Sequence, residues 1–166
     1  PKENLVVVPD TVSDEQAVFA EPLAAAWGIS EMADLQADTR LAVIGDGKLG
    51  LLCAMSLRLK CDHVLNIGKH RSKLDIAASA GVETMLVNDL NDAHTKGFDV
   101  VVEASGSESG FETALELVRP RGTIVLKSTF QGTPTWNASR VVVEEITVVG
   151  SRCGRFAPAV ELLASG

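Results

Sequence analysis

Short apolar runs rich in Val, Ile and Leu recur along the chain, and between them apolar positions return every three or four residues. The first pattern predicts strands buried on both faces, and the second predicts helices laid against them. Strands are expected over 41–44, 63–67, 84–87, 98–104, 123–127 and 146–149, with helices over 49–59, 72–80, 111–117 and 156–164. Gly81 stops the second of these helices, a polar connection runs through Asn91 and His94, and Arg119-Pro120-Arg121-Gly122 is expected as a turn. One more extended run is expected at Val141-Val142-Val143. Strands alternating with helices form a parallel sheet, so the fold class is α/β, a doubly wound parallel six-stranded sheet in the order 3-2-1-4-5-6.

Ahead of that alternation the pattern is less regular. Asn4-Leu5-Val6-Val7-Val8-Pro9-Asp10 reads as a short strand closed by a Pro-Asp turn. Ser13-Asp14-Glu15-Gln16 is a capping box opening a helix that carries Ala17, Val18 and Phe19. Proline disfavours helical backbone at the preceding residue and suits the first turn of a new helix, so a break is expected near Glu21 with a restart at Pro22. On this division residues 1–39 are a linker strand and helices, and residues 40–166 are the sheet domain. Pro1 at the start and an apolar helical pattern just before Gly166 lead to the expectation of a piece cut from a longer protein.

The run Leu41-Ala42-Val43-Ile44 ends in Gly45-Asp46-Gly47-Lys48-Leu49-Gly50, three glycines at the spacing G-x-G-x-x-G, before the helical Leu51-Leu52-Cys53-Ala54-Met55-Ser56-Leu57. Between a strand and a helix, one such glycine permits the sharp turn, one lets the backbone approach a pyrophosphate, and one lets the helix pack on the strand. The helix then turns free N–H groups and its positive dipole end to the phosphates. Gly45, Gly47, Lys48, Leu49 and Gly50 are therefore the candidate pyrophosphate site, although glycine-rich turns also serve as plain connections.

An NAD site places an acid at the end of the second strand, about 20 residues beyond the glycines. Here that position is Gly68, 23 residues beyond Gly45, and Lys69-His70-Arg71-Ser72-Lys73 follows. A missing acid and a cationic cluster point to a 2′-phosphate held by ammonium and guanidinium donors, hence to NADP, with NAD as the second choice. A solvated basic helix start accounts for the same residues. Other strands end in Glu103-Ala104-Ser105-Gly106, Lys127-Ser128-Thr129 and Gly150-Ser151-Arg152-Cys153-Gly154. Ligands bind at the carboxyl ends of such strands, so Ser105, Thr129 and Ser151 are candidates toward the nicotinamide, although small polar residues also end strands that bind nothing. His63, His70 and His94 show no metal-ligand spacing, and Glu21 by spacing alone is a helix-break residue or a dipole partner for the helix at Pro22.

Charge narrows the partners. A formal net charge of -7 argues against a general nucleic-acid or membrane-surface binder, and no apolar run is long enough to span a bilayer. Cys53, Cys61 and Cys153 lack C-x-x-C spacing, which indicates neither a disulfide framework nor a thiolate zinc site; the expectation is a reducing, cytoplasmic setting. The oligomeric state stays open, and a homo-oligomer is compatible with the composition.

Several motifs in one order carry a resemblance. Val8-Pro9-Asp10 with Ser13-Asp14-Glu15, Phe19-Ala20-Glu21-Pro22-Leu23-Ala24, the glycine loop, Glu103-Ala104-Ser105-Gly106 and Val149-Gly150-Ser151-Arg152-Cys153-Gly154 together resemble the zinc-dependent medium-chain dehydrogenases, the alcohol, threonine and sorbitol dehydrogenase-like group. The resemblance runs over nearly the whole chain. It implies a Rossmann cofactor domain of a two-domain oxidoreductase, with residues 1–39 leading in from a catalytic domain outside this sequence. In such a parent, zinc polarises an alcohol oxygen, a proton leaves and hydride passes to the nicotinamide. Glu21 would be a zinc ligand in the full-length parent. The family's cysteine and Gly-His-Glu ligand motif and its four-cysteine zinc lobe are absent here, and one carboxylate cannot hold a tetrahedral zinc. The chain alone is thus expected to bind no zinc and to turn over no small alcohol or carbonyl substrate. Two other classes share the loop. A non-catalytic nucleotide-sensing module predicts a natural chain ending near Gly166, and an S-adenosylmethionine-dependent methyltransferase wants an acid where Gly68 stands.

Overall fold

The computed structural model describes residues 5–130 and 135–165. Its elements, in chain order, are α1 (Asp14–Ala17), α2 (Ala20–Trp27), α3 (Ile29–Met32), β1 (Arg40–Ile44), α4 (Lys48–Arg58), β2 (His63–Gly68), α5 (Arg71–Ser79), β3 (Glu83–Leu86), β4 (Phe98–Glu103), α6 (Glu108–Leu117), β5 (Val118–Leu126), α7 (Ala138–Val143), β6 (Thr147–Gly150) and α8 (Phe156–Ser165). The strands form one sheet in the order β3-β2-β1-β4-β5-β6, as the alternation predicts. Every neighbouring pair is parallel.

Side-chain alternation along β1 shows how both faces are covered. Leu41 and Val43 enter a core with Cys53, Leu57, Val64 and Val102, on the face roofed by α4. Ala42 and Ile44 enter the opposite core with Val101, Phe111, Leu115 and Ile124, beneath α6. Each fully buried Leu or Ile side chain contributes about 1.5–3 kcal/mol, so these two layers supply the main driving force for folding. Leu23 and Ala24 of α2 pack against Ala159 of α8, while Ala26 and Ile29 are buried in the first core. Part of the stretch that the sequence assigns to a linker therefore shares the core of the sheet domain.

Four local expectations change. Residues 5–8 are exposed and join no strand among the described residues, because an apolar run without a ladder partner has no sheet to extend; Asn4 lies outside the described residues. The Ser13 capping box forms with both reciprocal hydrogen bonds, but the helix breaks at Val18-Phe19 rather than at Glu21. Pro22 then occupies the third position of α2, where a missing N–H costs nothing because first-turn donors have no intrahelical acceptor. Arg119 to Gly122 bulges within β5, which pairs through Val118 with Phe98 and through Thr123 with Val100; Arg121 takes φ 60° there. Val141-Val142-Val143 belongs to helix α7 rather than to an extended run. Asn137 caps it by accepting the Ser139 N–H at 3.1 Å, and Arg140 donates to the Leu115 carbonyl at 3.0 Å, while β6 occupies the neighbouring sheet position.

Candidate functional site

The strand order reverses between β1 and β4, where open parallel sheets bind ligands at their carboxyl ends. A cleft of about 320 Å³ opens there, with Gly45, Asp46, Gly47, Gly68, Lys69 and Ser105 in its wall.

The three glycines differ in what their missing side chains allow. Gly45 turns with φ +128°, and a Cβ there would lie 2.7 Å from the Ala104 carbonyl oxygen. A Cβ on Gly50 would collide with the Gly45 carbonyl, so only glycine lets α4 approach β1 this closely. Gly47 has nothing within 4 Å of its Cβ position and caps α4 without any side-chain bond. Backbone donors and open space thus lie together at the start of an eleven-residue helix whose first turn holds Lys48 and no acid. This cradle fits a pyrophosphate. Leu49 is half-buried beside it. Beneath the turn, buried Asn66 donates from Nδ2 to the Val43 and Gly45 carbonyls at 3.1 and 2.9 Å, tying the loop to β2.

The end of β2 holds an acid after all, supplied by tertiary structure. Asp46, between the first two glycines, reaches across so that its Oδ2 accepts the backbone N–H groups of Lys69 at 2.8 Å and His70 at 2.6 Å. His70 Nδ1 lies 2.9 Å from the same oxygen. A Cβ on Gly68 would stand 2.8 Å from Oδ2, so the glycine at that strand end makes room for the carboxylate. Burial pushes the Asp46 carboxyl up, but the His70 and Lys69 donors outweigh it and hold it below its ordinary value of 3.8. Lys69 and His70 are exposed, and Arg71 lies 3.8 Å from Asp89. Lys69 lines the cleft, and the Asp46 carboxylate sits beside the backbone of Lys69 and His70.

On the other side of the reversal, side chains hold the loops. Glu103, fully buried at the end of β4, accepts on Oε1 from the Ser105 N–H at 2.7 Å, the Ser105 hydroxyl at 2.5 Å and the Gly106 N–H at 3.1 Å. Its Oε2 is buried and has no hydrogen-bond partner among the described residues. The Ser105 hydroxyl is thus committed to the loop, while Thr129 is exposed, with its carbonyl 3.7 Å from the Cβ position of Gly106. Ser151 is buried and away from the cleft wall, where its Oγ accepts from Lys127 Nζ at 3.0 Å. The structure therefore brings Gly45, Gly47, Gly68, Lys69 and Ser105 together and leaves Thr129 and Ser151 apart from them. Asp46, Asn66, Glu103 and Lys127 carry the site's polar framework. Their one visible signal in sequence is a polar residue set inside or directly after an apolar run.

Glu21 stands exposed in the first turn of α2. Among the described residues, no group of three or more His, Cys, Asp and Glu side chains gathers where it could hold a metal. A catalytic zinc takes three protein ligands, so this donor set does not fit one by itself.

Fold and cleft together define a dinucleotide-binding domain of the doubly wound class. Residues 49–165 match the family described as Zinc-binding dehydrogenase; the chain belongs to that family of medium-chain dehydrogenases and corresponds to its cofactor-binding domain. It is 28% identical over 182 residues to D-xylulose reductase A of Aspergillus oryzae, covering 100% of this chain and 51% of that protein. The chain spans about half the length of the curated relatives it matches. L-idonate 5-dehydrogenase of Escherichia coli superposes with a TM-score of 0.88 at 25% identity, over 97% of this chain and 49% of that one. A zinc-binding dehydrogenase of Sinorhizobium meliloti bound to NADP shares the fold with a TM-score of 0.90 at 22% identity, over 100% of this chain and 53% of that one. Among the described residues no helix is long and apolar enough to cross a membrane.

Proposed function

We propose that this chain is the cofactor platform of an alcohol or polyol oxidoreductase, binding NADP(H) in preference to NAD(H) for hydride transfer to or from an alcohol or carbonyl carbon. The carrying observation is the cradle at Gly45 to Gly50, with backbone donors, an uncapped helix start and no Cβ in the way. Lys48 would add positive charge near the pyrophosphate, and the exposed Lys69, His70 and Arg71 that follow Gly68 would supply donors to a 2′-phosphate. When bound, the dinucleotide supplies the hydride chemistry, and this chain's residues orient it across the sheet. The substrate enters through a catalytic domain outside the sequence. Zinc would belong to the full-length parent, with Glu21 as one ligand.

A specific observation favours NAD(H) as the second reading. The Asp46 carboxylate lies at the end of β2, where a carboxylate receives ribose hydroxyls in NAD-binding units. On the other side stand the Lys69 and Arg71 side chains, two cationic groups directly after Gly68 that would attract a 2′-phosphate. Titration of the chain with NADPH and NADH decides between them. NADPH is expected to bind about tenfold tighter, and the double variant Lys69→Ala/Arg71→Ala to erase that margin. Equal affinity, or a margin indifferent to the double substitution, would overturn the NADP assignment.

A further inference from the structure

Behind the cleft wall, at the end of β5, lies a buried cationic side chain that the proposed function leaves unused. Lys127 directly follows β5 and is only 7% exposed. Two residues before it, Val125 faces the core roofed by α4, and strand alternation sends Lys127 toward the same face. Its Nζ donates to Ser151 Oγ at 3.0 Å and to the Arg152 carbonyl at 3.1 Å. An ammonium has three N–H donors, so these neutral acceptors use two and cancel no charge.

Among the described residues, the charged neighbours offset the burial of that ammonium only in part. Burial lowers the Lys127 pKa, with Cys53, Cys153 and Glu21 acting in the opposite direction. Burial pushes the Cys53 thiol up to about 12, so it stays neutral at physiological pH and supplies no counter-charge. Glu21 is exposed on α2, where solvent screens it more than it screens a buried ammonium.

Position gives this charge a target. In a doubly wound sheet the adenosine half lies over β1 and β2, and the second nucleotide lies over the strands beyond the reversal. Lys127 and Ser151 follow β5 and β6, which places them at the nicotinamide end. Oxidised nicotinamide is a cation and dihydronicotinamide is neutral, so a fixed ammonium nearby penalises only the oxidised ring. Resting on the cofactor platform proposed above, we infer that Lys127 is a specificity-determining residue that biases this site toward the reduced dinucleotide.

The test compares three ligands on the whole chain: NADPH, NADP+ and 2′-phospho-ADP-ribose, which lacks the nicotinamide. Wild type is expected to bind NADPH more tightly than NADP+. Lys127→Met and Lys127→Gln should each shrink that ratio about tenfold, chiefly by tightening NADP+. Both should leave 2′-phospho-ADP-ribose affinity unchanged, and Lys127→Arg should keep the wild-type ratio. If NADH proves the tighter cofactor, the same ratios are read with NADH, NAD+ and ADP-ribose. A ratio unchanged in both neutral variants, with 2′-phospho-ADP-ribose or ADP-ribose still bound, overturns the role of Lys127 alone. Failure of wild type to bind any dinucleotide or ADP-ribose overturns the cofactor platform itself, and this inference with it.

Discussion

At the carboxyl end of β1 the cleft is built from backbone. Gly45 turns, Gly50 admits α4, and Gly47 leaves open space over unpaired helix N–H groups. Beyond the reversal, buried side chains hold the loops at the ends of β4, β5 and β6. Glu103 gathers the Ser105–Gly106 loop, and Lys127 bridges to Ser151 and the Arg152 carbonyl. The difference follows from what each end meets. A pyrophosphate is an anion that backbone amides can hold wherever the chain approaches closely, so the requirement falls on residues without side chains. Loops that follow the later strands are instead fixed by buried acceptors and donors, which only side chains supply.

If the first end depends on backbone approach, Gly50→Val should be the most damaging single change. Its branched side chain would strike the Gly45 carbonyl, force α4 away from β1 and cost about 3 kcal/mol or more. Denaturant unfolding should show the loss, and dinucleotide titration should show no binding; a variant with wild-type stability would break the comparison. Glu103→Ala tests the second end. It strands the donors of Ser105 and Gly106 and is expected to cost about 2 kcal/mol, with Glu103→Gln recovering part by keeping an acceptor oxygen. Equal stability of all three proteins would show that the loop does not depend on that carboxylate.

The smallest effect concerns acid. Folding lowers the Asp46 pKa, so its contribution is complete above the unfolded value, about pH 4, and fades as the pH falls through the lower folded value. Stability measured from pH 6 to pH 2 should therefore fall less steeply below about pH 4 in Asp46→Asn than in wild type. Parallel curves would show that the turn at residues 68–70 does not depend on the Asp46 charge.

Much of the first end was legible in the chain because it is local. Strand, glycines and helix stand side by side, and the collision that makes Gly50 obligatory involves a residue five positions away. The acid was missed for the opposite reason. Asp46 sits 23 and 24 residues from the amides it binds, and nothing near Gly68 in sequence announces it. The helix at Val141-Val142-Val143 was missed because β-branched residues favour strands, whereas the Asn137 cap and the Arg140–Leu115 contact override that preference.

By itself the sequence determined the strand order, the two-faced burial, the place of the glycine loop and the family, since periodicity and contiguous motifs record local backbone requirements. Tertiary structure alone decided the polar framework. It brought Asp46 to the end of β2, Asn66 under the loop and Lys127 against Ser151, in contacts spanning 21 to 25 residues. A buried polar group needs a partner in space, and a parallel sheet separates neighbouring strand ends by a whole crossover, so those partners cannot be neighbours in sequence.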